Sequence, residues 1–126
     1  MKSFNKLITV TVNDGQVAGW VDIDLSTIVP ADNHLVIEFV STSCEMPSGQ
    51  KPNPVIVVLD KNGSAVVQHY PVTQFQLVYS GADIHKSANA TYINLSRDLK
   101  LRVDLIRDST TGTARCFFGI SGYITK

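Results

Sequence analysis

Residues 99–105 read Leu-Lys-Leu-Arg-Val-Asp-Leu, an alternation of apolar and polar side chains that is typical of a β-strand with one buried face. A turn-forming run, Asp108-Ser-Thr-Thr-Gly112, follows, and its glycine tolerates the positive φ angles that tight turns require. Residues 113–124, Thr-Ala-Arg-Cys-Phe-Phe-Gly-Ile-Ser-Gly-Tyr-Ile, then resume an alternating pattern. The stretch therefore predicts two strands that form a long antiparallel hairpin.

Similar short segments recur along the rest of the chain, separated by residues that favour turns. Asp14-Gly15 and Asn62-Gly63 are turn signals, and the second predicts a hairpin because it lies between two apolar runs. Three prolines predict an irregular stretch from Cys44 to Pro54, and residues 80–87 predict a polar connection. The remaining strands are predicted at Phe4–Val12, Val17–Leu25, His34–Thr42, Val55–Leu59, Ser64–Tyr70, Gln74–Tyr79 and Thr91–Leu95.

These segments predict an all-β fold, because none of them shows helical apolar spacing of useful length. Eight or nine antiparallel strands in 126 residues fit a β-sandwich of two packed sheets, in one domain that covers residues 1–126. We expect a jelly-roll topology, since it accommodates this number of strands while limiting the exposed edges.

The composition argues against several functional classes. Eleven basic residues balance eleven acidic ones and no run of like charges occurs, which argues against a nucleic-acid-binding surface. The longest uninterrupted apolar run, Val55–Leu59, is far too short to cross a membrane. The N-terminal residues lack the apolar core and cleavage site of a signal peptide, which predicts a cytoplasmic location or leaderless export if Met1 is the native start.

Two cysteines, Cys44 and Cys116, are distant in sequence, and each lies in or near a predicted strand. Two separate buried thiols are the favoured interpretation, and a disulfide that bridges the two sheets is the alternative. The sequence contains no Cys-x-x-Cys, so it offers neither a zinc knuckle nor a thioredoxin-type motif.

Residue types that carry out catalysis are present, but they form no recognisable motif. The three histidines, His34, His69 and His85, are scattered, and the chain contains no Gly-x-Ser-x-Gly, His-x-His or His-Glu-x-x-His. A nucleophile requires a base held against it, and isolated histidines are more often surface or capping residues. We therefore expect no enzymatic activity, no cofactor and no metal site.

A group of polar and aromatic side chains forms a candidate ligand site. Trp20, Asp22 and Asp24 share one face of the second predicted strand, and Asn33 and His34 follow the next loop. An indole ring stacks on the C–H face of a sugar while carboxylates and amides bind its hydroxyls, so this group predicts a carbohydrate site. Calcium binding by the acidic oxygens is one alternative, and a solvated strand face with ordinary aromatic packing is the other.

Several predicted strands carry apolar residues on both faces, although a second sheet covers only one face of each. If Phe118 faces the core, Phe117 and Tyr123 face outward, and the opposite register exposes Phe118 instead. Such outward apolar residues predict a homo-oligomer, and coverage by the long loop of the same subunit is the alternative. The residues predicted at the oligomer interface are Phe117, Gly119, Tyr123, Val36 and Val40.

Two segments resemble known families. Phe118-Gly-Ile-Ser-Gly-Tyr-Ile124 resembles the last strand of trimeric jelly-roll domains of the C1q and tumour-necrosis-factor type. Leu35-Val-Ile-Glu-Phe-Val-Ser41, followed by Pro47-Ser-Gly-Gln50, is similar to small uncharacterised bacterial β-sandwich proteins. The first resemblance implies oligomerisation, and the second implies no activity.

The sequence therefore favours a non-enzymatic, oligomeric β-sandwich module for surface recognition, with carbohydrate as the candidate ligand. The alternative is a structural, self-assembling subunit of a virion, tail or appendage, in which the sandwich binds only its own copies. In both cases we expect a homo-oligomer, and neither nucleic acid nor a membrane as a partner.

Overall fold

A computed structural model describes residues 1–125, most of which lie in nine β-strands. One turn of 3₁₀ helix, Leu25–Thr27, follows the second strand and is capped by Asp24. The strands are β1 (Lys2–Val12), β2 (Ala18–Asp24), β3 (His34–Pro47), β4 (Pro52–Leu59), β5 (Ala65–His69), β6 (Gln74–Tyr79), β7 (Ala82–Ser96), β8 (Lys100–Arg107) and β9 (Ala114–Thr125).

The strands form two antiparallel sheets that pack face to face, which confirms the predicted β-sandwich. The five-stranded sheet has the order β1-β9-β3-β7-β6, and the four-stranded sheet has the order β2-β8-β4-β5. β1 packs against β2 and β3 packs against β4, so the strands of the two facing sheets follow each other in the same spatial order. The edge strands β5 and β6 therefore lie on one side of the sandwich, and β1 and β2 lie on the other. The jelly-roll assignment stays a prediction.

The predicted terminal hairpin is wrong, although both of its strands exist. β8 lies between β2 and β4 in the four-stranded sheet. β9 lies between β1 and β3 in the five-stranded sheet. The connection at residues 108–113 therefore crosses from one sheet to the other. Alternation identifies the buried face of each strand, but it does not distinguish a hairpin from a crossover.

Two tight hairpins do occur in the structure. β4 and β5 pair across the turn that contains Asn62-Gly63, which confirms that prediction. β6 and β7 pair across Ser80 and Gly81, both of which have positive φ angles. The polar connection predicted at residues 80–87 is therefore only two residues long, because β7 begins at Ala82. An antiparallel strand that is not covered on both faces tolerates the polar residues that suggested a loop.

The irregular stretch predicted from Cys44 to Pro54 is also much shorter than expected. β3 continues to Pro47 and β4 begins at Pro52, which leaves only residues 48–51 between them. β4 pairs with β5 only from Ile56 onward. The prolines at the start of β4 precede this point, so their missing N–H groups remove no bond to β5.

The core lies between the sheets and consists of the inward-facing residues of both. Leu101, Val103 and Leu105 of β8 are fully buried, as their alternation predicts. Phe118 of β9 is also fully buried, which selects the register that turns Phe117 outward. The sequence alone left both registers of this strand open.

β4 is buried on both faces, as its uninterrupted apolar sequence predicts. Ile56 and Val58 belong to the main core between the sheets. Val55, Val57 and Leu59 form a separate small cluster. The described residues form no third sheet on this second face, and the register partners of the three residues on β8 are Asp104, Arg102 and Lys100.

Cys44 and Cys116 are bonded to each other, so the favoured interpretation of two separate thiols is not what the structure shows. The two residues are register partners on β3 and β9. The bond therefore joins neighbouring strands of one sheet rather than the two sheets. Both side chains are fully buried.

Candidate functional site

Trp20 lies on β2, at the edge of the four-stranded sheet, and is 57% exposed. The guanidinium carbon of Arg102, on the adjacent strand β8, lies 5.1 Å from the centroid of the indole ring. This distance fits a cation–π contact, so Arg102 covers one face of the ring. One face of Trp20 is therefore engaged within the chain.

Asp22 contacts the same arginine. The Nε of Arg102 donates to Oδ1 of Asp22 at 2.6 Å, and one of its terminal nitrogens donates to Oδ2 at 3.0 Å. These hydrogen bonds hold the pKa of Asp22 below its usual value and raise the pKa of Arg102. Trp20, Asp22 and Arg102 thus form one connected cluster on the outer face of the sheet.

Asp104 completes this cluster from β8, where it is the register partner of Trp20. Its Oδ1 atom is buried and has no hydrogen-bond partner among the described residues. Burial raises the pKa of Asp104, and the positive charge of Arg102 opposes part of that rise. Two carboxylates near one arginine therefore have pKa values shifted in opposite directions.

Asp24, the third predicted ligand residue on β2, serves as a helix cap. Its Oδ1 accepts hydrogen bonds from the backbone N–H of Ser26 at 3.0 Å and from the Ser26 hydroxyl at 2.7 Å. The hydroxyl contact is the main reason that the pKa of Asp24 is lowered. One carboxylate oxygen of Asp24 is thus occupied in fixing the 3₁₀ turn.

Asn33 and His34 do not join the residues on β2. His34 begins β3 in the other sheet, opposite Ser96. Asn33 lines a cavity with Lys2 and Ile28, and the lining of that cavity includes none of the three β2 residues. The structure therefore divides the predicted ligand site between the outer face of one sheet and the end of the sandwich.

Phe117, Gly119 and Tyr123 lie on the outer face of the five-stranded sheet, and all three are partly exposed. Gly119 is the register partner of Ser41, and a Cβ atom added to the glycine would lie 2.6 Å from the Ser41 hydroxyl. Phe117, Gly119 and Leu7 also line an open cavity of about 720 Å³ on this face. The absence of a side chain at Gly119 is thus explained by a contact within the subunit.

The two predicted interface residues on β3 are covered within the chain. Val40 is fully buried in the main core, and Val36 is 2% exposed. A β-bulge between Ile37 and Phe39 shifts the alternation of β3, and Val40 consequently faces inward. The prediction that Val40 faces outward is therefore wrong, and Val36 offers almost no surface to a partner.

The four edge strands differ in charge. β1 carries Lys2 and Lys6, and β2 carries Asp22 and Asp24. β5 and β6 carry no Asp, Glu, Lys or Arg. Charged residues on an edge strand oppose pairing with another chain, so only the β1–β2 side has this protection.

We call residues 65–79, which comprise β5, β6 and their connection, the uncharged side. Every residue of β6 is exposed, with Tyr79 at 70% and Val78 at 62%. A signal for this surface exists in the sequence, because residues 62–82 contain no Asp, Glu, Lys or Arg. The exposed large apolar residues of the uncharged side are Val66, Val67, Tyr70, Val72, Phe75, Leu77, Val78 and Tyr79.

Within residues 1–125, no group of three or more His, Cys, Asp or Glu side chains is placed to hold a metal ion. The same part of the chain contains no helix long and apolar enough to cross a membrane.

No protein-family model and no curated protein matches this sequence. A VP2 subviral particle of infectious bursal disease virus is similar in structure, with 10% identity and a TM-score of 0.46 over 93% of this chain and 32% of the VP2 chain. The structure of the Gx strain of that virus is 9% identical, with a TM-score of 0.46 over 95% of this chain and 33% of the viral chain. Dimeric latent PorU from Porphyromonas gingivalis is 12% identical, with a TM-score of 0.45 over 96% of this chain and 13% of the PorU chain. The chain thus spans a third or less of each of these proteins.

Proposed function

We propose that this protein is a non-enzymatic β-sandwich that associates with copies of itself through the uncharged side. The observation that supports the proposal is the state of β6, an edge strand with all six residues exposed and no charged side chain. Edge strands of this kind pair readily with another strand unless charge, proline or cover prevents it. The proposal corresponds to the structural, self-assembling subunit, which the sequence analysis gives as the alternative to a recognition module.

A second copy of the chain is the partner that best fits the edge. β6 pairs with β7 on one side only, so the N–H and C=O groups of its other side are available to a further strand. Antiparallel pairing of β6 with β6 of a second copy forms an interface with two-fold symmetry, in which both copies contribute the same patch of surface. Since β6 has no charge, such pairing opposes no like charges, whereas self-pairing of β1 brings lysines together.

The apolar side chains of the uncharged side add to this backbone pairing. Val72, Leu77 and Tyr79 are each about half exposed or more, and all three lie between β5 and the end of β6. A contiguous exposed apolar surface on a soluble domain marks an interaction site. Burial of these side chains between two copies removes apolar area from water and so stabilises the assembly.

Light scattering coupled to size exclusion tests the proposal across a dilution series. We expect the wild-type mass to be a multiple of 13.8 kDa and the Leu77→Lys variant to have a mass of 13.8 kDa. Leu7→Lys is the matched control, because Leu7 is an exposed leucine on β1, the opposite edge of the same sheet. A wild type that remains at 13.8 kDa at every concentration, or a Leu77→Lys variant that still associates, would overturn the proposal.

The outer face of the five-stranded sheet is the other predicted contact surface, through Phe117, Gly119 and Tyr123. Phe117→Lys places a charge on that face and leaves the uncharged side unchanged. If Leu77→Lys dissociates the assembly and Phe117→Lys does not, the edge strand carries the contact. The reverse result assigns the contact to the outer face.

Carbohydrate recognition at Trp20 stays a prediction, with Arg102 on one face of the ring and the Asp22 carboxylate already paired. Trp20 is the only tryptophan in the chain, so its fluorescence reports directly on this surface. A saturable change in its emission with a neutral oligosaccharide, retained in Leu77→Lys, would support recognition independently of self-association. An unchanged spectrum across a panel of oligosaccharides would remove this ligand class.

A further inference from the structure

Two open cavities on the outer face of the five-stranded sheet join into one depression. One has a volume of about 720 Å³ and the other about 350 Å³, and both are lined by Leu7, Ser41 and Gly119. Leu7 is the register partner of Gly119, and Gly119 is the register partner of Ser41. The three residues therefore form one row across β1, β9 and β3, and we call the depression along this row the outer trough.

Two phenylalanines flank the outer trough. Phe117 precedes Gly119 by two residues on β9, and Phe39 precedes Ser41 by two residues on β3. Since these strands are antiparallel, the two aromatic residues lie on opposite sides of the Gly119–Ser41 pair. Phe117 lines the larger cavity, and Phe39, which is 42% exposed, lines the smaller one. The guanidinium of Arg115 lies over the Phe117 ring from the side away from Gly119, so it leaves the trough side of that ring open.

The charged side chains of the outer trough are both positive. Lys86 lines the larger cavity and Lys6 lines the smaller one, and the lining of neither cavity includes an Asp or Glu side chain. Neither lysine takes part in a salt bridge within residues 1–125. The lysines lie on β7 and β1, which are three strand spacings, about 14 Å, apart across the sheet. A ligand that pairs with both is therefore an extended molecule with more than one negative charge.

Hydroxyl groups supply further polar lining next to the aromatic rings. Ser43 lies between Phe117 and Lys86 in a row of register partners, and Ser121 lies opposite Phe39. Ser43 lines the larger cavity and Ser121 lines the smaller one. A pyranose ring presents a C–H face to an aromatic ring and hydroxyls to such polar groups. Pyranose rings that also carry carboxylates match the rings, the hydroxyls and the cations of the trough together.

We propose that the outer trough binds an acidic oligosaccharide, a chain of pyranose rings that carry carboxylates. The sugar rings contact Phe39 and Phe117, and the carboxylates pair with the ammonium groups of Lys6 and Lys86. A nucleic acid fits less well, because its phosphate backbone requires a larger basic patch than two lysines.

This function goes beyond self-association through the uncharged side. The assigned contacts involve none of residues 65–79, and they lie on the face of the sheet rather than along its β6 edge. The outer trough is also separate from the Trp20 surface, which belongs to the four-stranded sheet.

Trigalacturonate is the probe, and it is titrated into ¹⁵N-labelled full-length protein at low ionic strength. We expect saturable shifts at residues 5–7, 39–43, 86–88 and 117–121, with a dissociation constant on the order of 0.1–1 mM. The methyl ester of the same saccharide keeps the rings and removes the charges, and citrate keeps carboxylates but has no ring. Each is expected to bind at least about threefold more weakly, because each lacks one of the two recognised parts.

Two substitutions assign the contacts, each with a matched control. Lys86→Gln is expected to weaken trigalacturonate binding about two- to fivefold, as suits the loss of one exposed ion pair. Phe39→Leu, which keeps an apolar side chain but removes the ring, is expected to weaken it about three- to tenfold. Lys61→Gln and Tyr92→Leu are the controls and should bind as the wild type does, since Lys61 and Tyr92 are exposed and line neither cavity. The titration is repeated on Leu77→Lys, so that the result does not depend on self-association.

Three outcomes would overturn the proposal. The first is the absence of saturable shifts, which means that the outer trough holds only solvent. The second is equal binding of trigalacturonate and its methyl ester, which removes the carboxylates from the recognition. The third is unchanged affinity in folded Lys86→Gln and Phe39→Leu variants, which places the saccharide elsewhere.

Discussion

Cys44 on β3 and Cys116 on β9 lie directly opposite each other, with Cα atoms 4.0 Å apart and sulfur atoms bonded. The bond connects positions 72 residues apart in the sequence, between neighbouring strands at the centre of the five-stranded sheet. A cross-link over this length removes many conformations from the unfolded chain, so it stabilises the fold.

We therefore expect the double variant Cys44→Ala/Cys116→Ala to lower the free energy of unfolding by about 2–4 kcal/mol. Urea denaturation followed by circular dichroism measures the loss. Unfolding of the wild type in a phosphine reductant should approach the same midpoint, whereas the double variant should not respond to the reductant. Two reactive thiols in denatured, unreduced wild type would show that the bond does not form.

Gly122 on β9 approaches the backbone of β3 very closely. A Cβ atom added at this position would lie 1.8 Å from the carbonyl oxygen of Val36, beside the bulge between Ile37 and Phe39. The backbone of a central strand cannot move aside without breaking its hydrogen bonds. We expect Gly122→Ala to lower the free energy of unfolding by more than about 3 kcal/mol, measured by urea denaturation.

Gly119→Ala is the comparison on the same strand. Here the added Cβ would lie 2.6 Å from the hydroxyl oxygen of Ser41, which can rotate away. We expect a loss below about 1.5 kcal/mol, and partial recovery in Gly119→Ala/Ser41→Ala. Equal losses for Gly122→Ala and Gly119→Ala would contradict the view that backbone contact sets the cost.

The buried face of most strands could be predicted from the sequence, but their neighbours could not. Alternation in residues 99–105 correctly identifies Leu101, Val103 and Leu105 as core, because it depends only on the period of two of a strand. Whether β8 then pairs with β9 depends on contacts with β2, β4, β1 and β3, which are distant in sequence. The Asn62-Gly63 turn is different, because two residues with a suitable backbone fix the hairpin locally.

The candidate sites show the same limit. The partner of Trp20 and Asp22 is Arg102, which lies 80 residues after Asp22 and which alternation marks only as a solvated residue. Phe75 and Leu77 are exposed because β6 is an edge strand, which the types of these two residues do not reveal. The absence of charge in residues 62–82 is visible in the sequence, but it indicates an interface only once β5 and β6 are known to be edges.

Arg107 at the end of β8 is buried, and its side chain holds three loops together. It donates to the backbone carbonyls of Asn13 and Gln16, to the carbonyl of Thr111 and to the side chain of Gln50. The planar guanidinium supplies these bonds in several directions at once, and the compact ammonium of lysine does not.

We expect Arg107→Lys to lower the free energy of unfolding by about 2–4 kcal/mol, since it leaves buried carbonyls unpaired while it keeps the charge. Arg115→Lys is the control, because Arg115 is exposed, donates to the Glu45 carboxylate at 2.9 Å and lies over the ring of Phe117 without joining any loops. Urea denaturation of both variants gives the comparison. Similar, small losses would mean that the loops hold together without Arg107.

Asp22 and Asp104 face the same arginine, but their pKa values are shifted in opposite directions. Hydrogen bonds from Arg102 lower the pKa of Asp22 in the folded protein, so its ionised form contributes stability above the unfolded pKa. That contribution is lost as the pH falls through the folded pKa. Burial raises the pKa of Asp104, so its ionised form opposes folding at neutral pH, and this cost disappears as the pH falls through its folded pKa.

The same isosteric change at the two positions should therefore have opposite effects at pH 7. We expect Asp22→Asn to lower the free energy of unfolding by a few tenths of a kcal/mol up to about 1 kcal/mol, as for other partly exposed ion pairs. Asp104→Asn should raise it by a comparable amount. Urea denaturation at a series of pH values from neutral down to the usual carboxyl range, about pH 4, should show the Asp104→Asn gain shrinking first, because the folded pKa of Asp104 is higher than that of Asp22. Changes of the same sign at pH 7 would contradict the opposed environments of the two carboxylates.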